Sequence, residues 1–211
     1  MVHADEKAAV VIPEGIEKKI AGPLFCAGIT VFNPIVQAGI SPLSRVAVVG
    51  IGGLGHLALQ FLNAWGCHVT AFTSKDDKKE EAKKLGAHEA LNSKNKEEFE
   101  SVKGKFDFIL VTVNVKLDWD LFISTLKPKG KLHFVGGVLE PLDVTLLPMV
   151  MSQLSIAGSL VGSPPLIEKM LNFAALHDIK PWVEEYKLED VNDAIDHLKN
   201  GKPRYRIVLK H

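Results

Sequence analysis

The stretch Val46–His56, VAVVGIGGLGH, decides how the rest of the chain is interpreted. Its first four residues are an apolar run typical of a strand buried on both faces of a sheet. Three spaced glycines follow, and the apolar residues beyond them recur at helical spacing as far as Trp65. A glycine-rich turn between a strand and a helix is typical of a dinucleotide-binding motif, although other tight turns also need glycine.

Each glycine of this turn has a physical role if the motif is a binding site. Gly50 permits the tight turn, Gly52 lets the backbone approach a pyrophosphate, and Gly55 allows close packing of helix against strand. The free N–H groups and the dipole at the helix N-terminus attract phosphate. The sequence therefore predicts that Gly50, Gly52, Gly53, Leu54 and Gly55 hold the pyrophosphate of a dinucleotide.

Composition narrows the class of protein. The 211 residues include 25 basic and 25 acidic side chains, and this balance argues against nucleic acid or an anionic membrane as a partner. We see no apolar run that approaches the length of a membrane span, and no apolar signal-peptide core at the N-terminus. Two cysteines, Cys26 and Cys67, cannot form a disulfide framework, so we expect a cytoplasmic protein with reduced thiols.

The apolar pattern alternates between strands and helices up to residue 162. Because parallel strands need crossover helices, this alternation predicts an α/β fold with a doubly wound parallel sheet of six strands. The predicted strands are 46–49, 68–73, 89–92, 106–113, 131–135 and 155–160, with helices at 54–65, 78–85, 97–103 and 119–126. The apolar segment 24–37 is interrupted by Pro34. Beyond 162 the pattern predicts a helix at 164–177, a strand at 182–186, a helix at 188–198 and a strand at 205–209.

The end of the second predicted strand indicates which dinucleotide binds. An NAD site places a carboxylate there for the ribose 2′-hydroxyl, whereas this chain has Thr73, Ser74 and Lys75, followed by Lys78 and Lys79. Hydroxyls and ammonium groups suit a 2′-phosphate, which a carboxylate would repel. The sequence therefore predicts NADP(H) rather than NAD(H), held by Thr73, Ser74, Lys75 and Lys78.

Two neighbouring features have simpler interpretations. Asp76 and Asp77 are interpreted as charges that cap the start of the second helix. The lysines from 78 to 84 also suit a solvated helix face, with Glu80 and Lys84 as an i,i+4 pair.

Six stretches extend the argument to most of the chain. They are GPLFCAGITVFNP (22–34), VAVVGIGGLGHLALQF (46–61), KKLGA (83–87), LKPKGKLHFVGG (126–137), IAGSLVGS (156–163) and GKPRYRIVL (201–209). In order and content, they resemble the NADP-linked branch of the zinc-dependent medium-chain alcohol dehydrogenases, which includes cinnamyl-alcohol dehydrogenases and bacterial aldehyde reductases. The resemblance implies a Rossmann domain at 28–162, flanked by segments 1–27 and 163–211 of a GroES-like catalytic domain. It also implies a homodimer joined at the edge strand 155–160.

The resemblance assigns roles to single residues. Cys26 matches a ligand of the catalytic zinc, and Thr30 lies against the nicotinamide. Thr112 and Val113 close the fourth strand over the cofactor, and Arg206 approaches the pyrophosphate. The nicotinamide end is lined by Gly136, Gly137, Gly158 and Ser159. From the residues alone, by contrast, Cys26, Cys67, His56 and His68 are ordinary packing residues.

The chain departs from the family pattern at the zinc. The family takes its other two ligands from a Cys in a GxCxxD-like turn and a His in a Gly-His-Glu motif, and neither motif occurs in these 211 residues. We therefore expect a chain that lacks most of the N-terminal catalytic domain, binds NADP(H) and turns over little alcohol or aldehyde. The residues expected to form an exposed patch where that domain would pack are 24–36, Trp182, Val183, Ile195 and Leu198.

Three functions stay open from the sequence. The first is the coenzyme-binding part of an oxidoreductase that interconverts small primary alcohols and aldehydes. The second is a non-catalytic nucleotide-binding module. The third is an S-adenosylmethionine-dependent methyltransferase, which would normally carry an acidic residue where this chain has Thr73-Ser74-Lys75.

Overall fold

A parallel β-sheet of six strands forms the centre of the molecule, in a computed structural model that describes residues 5–201 and 203–210. The strands are β1 (Arg45–Val49), β2 (His68–Thr73), β3 (Glu89–Asn92), β4 (Phe106–Val111), β5 (Leu126–Phe134) and β6 (Ser155–Gly158). Their spatial order is β3-β2-β1-β4-β5-β6, which is the order of a doubly wound dinucleotide-binding sheet. The predicted fold class is confirmed.

Eight helices surround this sheet and a smaller one within the described residues. They are α1 (Lys18–Gln37), α2 (Gly55–Ala64), α3 (Lys79–Lys84), α4 (Lys96–Ser101), α5 (Trp119–Ser124), α6 (Leu146–Ser152), α7 (Pro164–Leu176) and α8 (Val191–Lys199). Short 3-10 turns lie at Glu6–Ala8, Asp76–Lys78 and Leu188–Asp190. The second sheet pairs β7 (Val183–Lys187) with β8 (Arg206–Lys210) in parallel.

The start of β5 and the presence of α6 differ from the prediction. β5 begins at Leu126 rather than 131, because Leu126 pairs with Phe106 before a register shift on the neighbouring strand. Helix α6 was not predicted at all. Its side chains Leu147, Val150 and Met151 are exposed, so its sequence lacks the polar outer face that marks an amphipathic helix.

Helix α1 is continuous through Pro34, where the sequence suggested an interruption. A proline inside a helix costs about 3 kcal/mol, and here deep burial of its neighbours Phe32 and Ile35 offsets that cost. The helix also contains a π-helical turn at Leu24–Gly28. The expected boundary between residues 27 and 28 falls inside α1, and the proposed division into domains stays a prediction.

Helix α1 is an apolar segment as long as a membrane span, whereas none was expected from the sequence. By length and composition alone it could cross a membrane, with a mean hydropathy of 1.4 over 18 residues, yet 67% of that window is buried within the fold. Such burial is what the core helix of a globular protein shows.

The core on one face of the sheet is built around α1. Phe32 lies edge-on to Phe61 at 5.4 Å and is tilted against Phe173 at 5.6 Å, so α1 packs between α2 and α7. The expectation that 24–36 would form an exposed patch is therefore wrong for the apolar side chains of this segment, because helices of this chain itself cover Leu24, Phe32 and Ile35. In the tail, by contrast, Trp182, Ile195 and Leu198 are exposed and Val183 is half-buried.

The interpretation of Cys67 and His68 as packing residues fits the structure. Cys67 is buried just before β2, and this burial raises the pKa of its thiol to about 11. His68 stacks on the ring of His88 at 4.8 Å.

Candidate dinucleotide-binding site

A cleft of about 310 Å³ opens at the carboxyl ends of β1, β2 and β4. This is the point at which the strand order reverses, and open α/β sheets bind their ligands there. The predicted site residues that line it are Gly50, Gly52, Thr73, Ser74, Lys75, Lys78, Thr112 and Val113. Sequence reasoning missed Ile51, Asn114 and Val115, which also line the cleft. Extending the site past the end of the predicted fourth strand would have found the last two.

Two glycines of the turn are required by sterics. A Cβ on Gly55 would lie 1.9 Å from the carbonyl oxygen of Gly50, and Gly50 itself has a φ of +90°. A Cβ on Gly52 would meet nothing within 4 Å. Gly55 is therefore fixed by packing of helix against strand, whereas the backbone of Gly52 is open to the cleft.

The N–H groups of residues 51–54 are free to bind an anion. None of them donates a hydrogen bond to any residue in 5–201 or 203–210. They lie just before the first turn of α2, where the helix dipole adds to the positive potential. This row of N–H groups is what a pyrophosphate needs.

The carbonyl oxygens of Ile51, Gly52 and Gly53 each accept a hydrogen bond from a side chain. Lys78 Nζ donates to the oxygen of Ile51 at 2.9 Å. The Nδ1 atom of His56 lies 3.0 Å from the oxygen of Gly52, and Arg206 Nε donates to the oxygen of Gly53 at 3.0 Å. The oxygens of three consecutive carbonyl groups are therefore hydrogen-bonded, and their orientation is fixed by donors that surround the turn. Arg206 thus lies against the glycine turn, and its approach to a pyrophosphate stays a prediction.

The end of β2 presents an exposed hydroxyl and an exposed ammonium group to the cleft. Ser74 and Lys75 are exposed, whereas Thr73 is buried and its hydroxyl closes a local turn with the backbone of Lys75 at 3.3 Å. Lys78 is half-buried, and this burial lowers the pKa of its ammonium group. Ser74 and Lys75 are the groups most available to a ligand.

The neighbouring charges are arranged differently from the sequence interpretation. Asp76 makes no helix-capping bond, because it pairs with Lys79 at 3.0 Å and accepts from Asn92 at 3.1 Å. These two contacts with cationic and amide donors lower the pKa of Asp76. Lys79 also pairs with Glu98 and is not among the residues that line the cleft. Glu80 pairs with Lys83 at 2.7 Å rather than with Lys84.

The residues assigned to the nicotinamide end lie along the carboxyl ends of β4, β5 and β6. Gly136 packs on β4 so closely that a Cβ would lie 2.0 Å from the oxygen of Val113, whereas Gly137 is open. The hydroxyl of Thr112 donates to the oxygens of Gly50 and Val49 and so fastens β4 to the glycine turn.

The remaining candidates lie outside the cleft lining. Gly158 ends β6, and the Ser159 hydroxyl lies 2.9 Å from His133 Nε2. Thr30 is buried and donates its hydroxyl to the Cys26 carbonyl at 2.7 Å. Cys26 is exposed in the π-helical turn of α1, so its interpretation as an ordinary packing residue is wrong.

Comparison with known proteins decides the family. Residues 53–175, more than half of the chain, match the family model described as zinc-binding dehydrogenase. The chain belongs to the zinc-binding dehydrogenase family. It is 57% identical over 210 residues to the aldehyde reductase AdhA of Synechocystis sp., covering 100% of this chain and 62% of that protein.

Two solved structures of similar proteins carry dinucleotides. An acetophenone reductase from Geotrichum candidum in complex with NAD has a TM-score of 0.85 and 27% identity, covering 96% of this chain and 58% of that chain. A CAD from Helicobacter pylori complexed with NADP(H) has a TM-score of 0.82 and 26% identity, covering 95% and 57%. This dehydrogenase-family chain thus spans about three-fifths of the proteins it resembles.

The residues described do not fit a zinc centre of their own. A catalytic zinc takes three protein ligands and an open position. In residues 5–201 and 203–210, no three His, Cys, Asp or Glu side chains are grouped closely enough to hold a metal ion. Among these described residues, Cys26 is therefore a solitary candidate donor.

Two buried histidines make the stability of this dehydrogenase-family chain dependent on pH. Burial lowers the pKa of both His56 and His133 to about 4, from an ordinary value of 6.5. Because the folded pKa is the lower one, the unfolded chain takes up protons first as the pH falls. Stability is therefore retained above pH 6.5 and lost between pH 6.5 and 4, by about 3 kcal/mol at most for each histidine.

Urea unfolding at pH 7 and at pH 5 measures this loss while most carboxylates are still ionised. We expect a lower free energy of unfolding at pH 5, and about half that decrease in the variant His133→Leu. Equal stability of the unmodified chain at the two pH values would contradict the assignment of neutral, buried imidazoles.

Proposed function

We propose that this chain carries the NADP(H)-binding part of an oxidoreductase that interconverts small alcohols and aldehydes. The observation that supports it most is the row of free N–H groups at residues 51–54, which begins at Ile51 and Gly52 in the lining of a cleft at the switch point of the sheet. Membership of the dehydrogenase family argues for a nicotinamide dinucleotide and against the methyltransferase alternative.

The preference for NADP(H) over NAD(H) rests on the end of β2. The cleft there offers Ser74, Lys75 and Lys78, and none of the described residues that line it carries a carboxylate. A 2′-phosphate gains charge-assisted hydrogen bonds from such a set, whereas a ribose 2′-hydroxyl finds no carboxylate acceptor among these lining residues. One similar structure holds NAD and another holds NADP(H), so the preference for one dinucleotide has to be argued from the residues of this chain.

The steps that these residues would perform are binding and orientation. The 51–54 N–H groups hold the pyrophosphate and Arg206 adds charge beside it. The backbone at Gly136, Gly137, Gly158 and Ser159, with Thr30, Thr112 and Val113, would line the nicotinamide end. The nicotinamide supplies a hydride donor or acceptor when it is bound. Fixing that ring in one orientation lowers the entropic part of the barrier.

The substrate class follows from the relatives. The similar Synechocystis protein is an aldehyde reductase, and we propose an aldehyde or primary alcohol as substrate here. We further propose Cys26 as one ligand of a zinc whose other protein ligands lie outside the described residues. On that account, the 211 residues alone bind NADP(H) but turn over little or no substrate, and in that respect they behave as a non-catalytic binding module.

A homodimer is part of this proposal. β6 lies at the edge of the sheet, where its unpaired backbone groups can extend the sheet into a second copy. Exposed apolar side chains on α6 and just after β6 would add buried area to such a contact. They are Leu146, Leu147, Val150, Met151, Leu160 and Val161.

Thermal unfolding with added ligand tests the proposal. A ligand present at 100 times its Kd stabilises by about 2.7 kcal/mol, which is about 5–11 °C in Tm for a chain of this size. We expect NADPH to produce such a shift and S-adenosylmethionine, at the same concentration, to produce none. The absence of a shift with saturating NADPH, or a shift with S-adenosylmethionine alone, would overturn the proposed function.

A further inference from the structure

His56 joins the glycine turn to the C-terminal tail of the chain. Its ring is fully buried in the first turn of α2. Nδ1 lies 3.0 Å from the Gly52 carbonyl oxygen, and Nε2 lies 3.3 Å from the backbone nitrogen of Trp182. Because the backbone N–H of Trp182 can only donate, Nε2 must be the acceptor. The proton of a neutral His56 is therefore on Nδ1 and is donated to Gly52.

The tail is fastened to α2 by more than this one bond. Gln60, one turn beyond His56, donates to the carbonyl oxygen of Lys180 at 3.0 Å and accepts from its N–H at 3.3 Å. The Tyr205 ring stacks on the imidazole with centroids 4.8 Å apart. The N–H groups of Tyr205 and Arg206 both donate to the carbonyl oxygen of Trp182. The segment that holds His56 in place therefore also carries Arg206.

Sterics alone do not hold the Gly52 peptide in its observed orientation. A Cβ at Gly52 would touch nothing within 4 Å, and glycine is the residue with the widest choice of backbone conformations. A rotation of this peptide would turn a carbonyl oxygen, rather than N–H groups, toward a bound phosphate. Two hydrogen bonds from His56 oppose that rotation, one from its backbone N–H at 3.1 Å and one from Nδ1 at 3.0 Å. Arg206 restrains the next carbonyl in the same way.

We propose that His56 is a positioning residue of the dinucleotide site. Neutral and protonated at Nδ1, it fixes the Gly52 carbonyl away from the phosphates, and the tail at Trp182 sets that tautomer. Docking of the tail against α2 is thereby linked to dinucleotide affinity. The inference rests on the proposed function, since the anion that the turn receives is the pyrophosphate.

Two conservative variants separate the two bonds of His56. In His56→Asn, the side-chain amide nitrogen can take the place of Nδ1 and keep the bond to Gly52. In His56→Gln, the longer side chain reaches the place of Nε2 and keeps only the side-chain bond to Trp182, while the backbone bond from residue 56 to Gly52 is present in both variants. Fluorescence titration with NADPH should give a Kd within about threefold of the unmodified chain for the Asn variant, and about tenfold weaker binding for the Gln variant.

A spectroscopic measurement on the unmodified chain covers the case in which a variant does not fold. Long-range ¹H–¹⁵N correlation of the imidazole at pH 7 should show a neutral ring protonated at Nδ1. A ring protonated at Nε2, or at both nitrogens, would overturn the inference, as would equal NADPH affinities for the Asn and Gln variants. Failure of the unmodified chain to bind NADPH would instead overturn the proposed function, and the role of His56 with it.

Discussion

Replacing Gly55 by alanine is expected to destabilise the fold by about 3 kcal/mol or more. The new Cβ would lie 1.9 Å from the oxygen and 2.9 Å from the carbon of the Gly50 carbonyl. Both are backbone atoms at the end of β1, so no side chain can rotate away to relieve the overlap. For a chain of this size, the loss corresponds to a decrease in Tm of about 6–12 °C.

The matched control is Gly52→Ala in the same turn. Its Cβ would meet nothing within 4 Å, and its φ lies outside the left-handed region, so we expect a Tm close to that of the unmodified chain. Its Cβ would instead enter the space that a pyrophosphate occupies, and NADPH affinity should decrease by at least about tenfold. Thermal unfolding and an NADPH titration on both variants give the comparison. An unchanged Tm for Gly55→Ala would contradict the close approach of α2 to β1, and unchanged NADPH binding by Gly52→Ala would contradict the assignment of the turn.

The variant Lys75→Glu is expected to reverse the preference between the two dinucleotides. The exposed ammonium group at the end of β2 is replaced by a carboxylate that repels a 2′-phosphate and can accept a bond from a ribose 2′-hydroxyl. We expect NADPH to bind about 10–100-fold more weakly, since a charge-assisted bond is lost and a repulsion is added. Binding of NADH should stay the same or become tighter.

A variant with the same change of charge provides the control. Lys84 is exposed near the end of α3 and does not line the cleft, so Lys84→Glu should leave both affinities within about twofold. Equal weakening of NADPH binding in the two variants would mean that overall charge, and not a contact at residue 75, decides the preference.

Most of the fold could be predicted because the parallel sheet is buried on both faces. Residues 46–49 are a continuous apolar run and 68–73 carry β-branched and aromatic residues, and the structure places β1 and β2 there within one residue. The elements that were predicted wrongly or missed depend on tertiary packing. The break at Pro34 was predicted from local chemistry, whereas the packing of Phe32 against α2 and α7 keeps α1 continuous. Helix α6 gave no signal because its apolar side chains are exposed.

The candidate site was predicted where neighbouring residues in sequence are also neighbours in space. The glycine turn and the end of β2 fall in this class, and both line the cleft. The restraint of the turn's carbonyls was not predicted, because it depends on where His56, Lys78 and Arg206 point after folding. Arg206 is 153 residues from its partner Gly53, a separation that no local pattern can reveal.

The most direct test of the account is a competitive comparison of NADPH and NADH binding to the unmodified chain at fixed ionic strength. Isothermal titration gives both Kd values and the number of sites. The contacts available at Ser74, Lys75 and Lys78 predict one site per chain and NADPH binding at least about tenfold tighter than NADH. Equal affinities, or tighter binding of NADH, would contradict the assignment of this cleft to a 2′-phosphorylated dinucleotide.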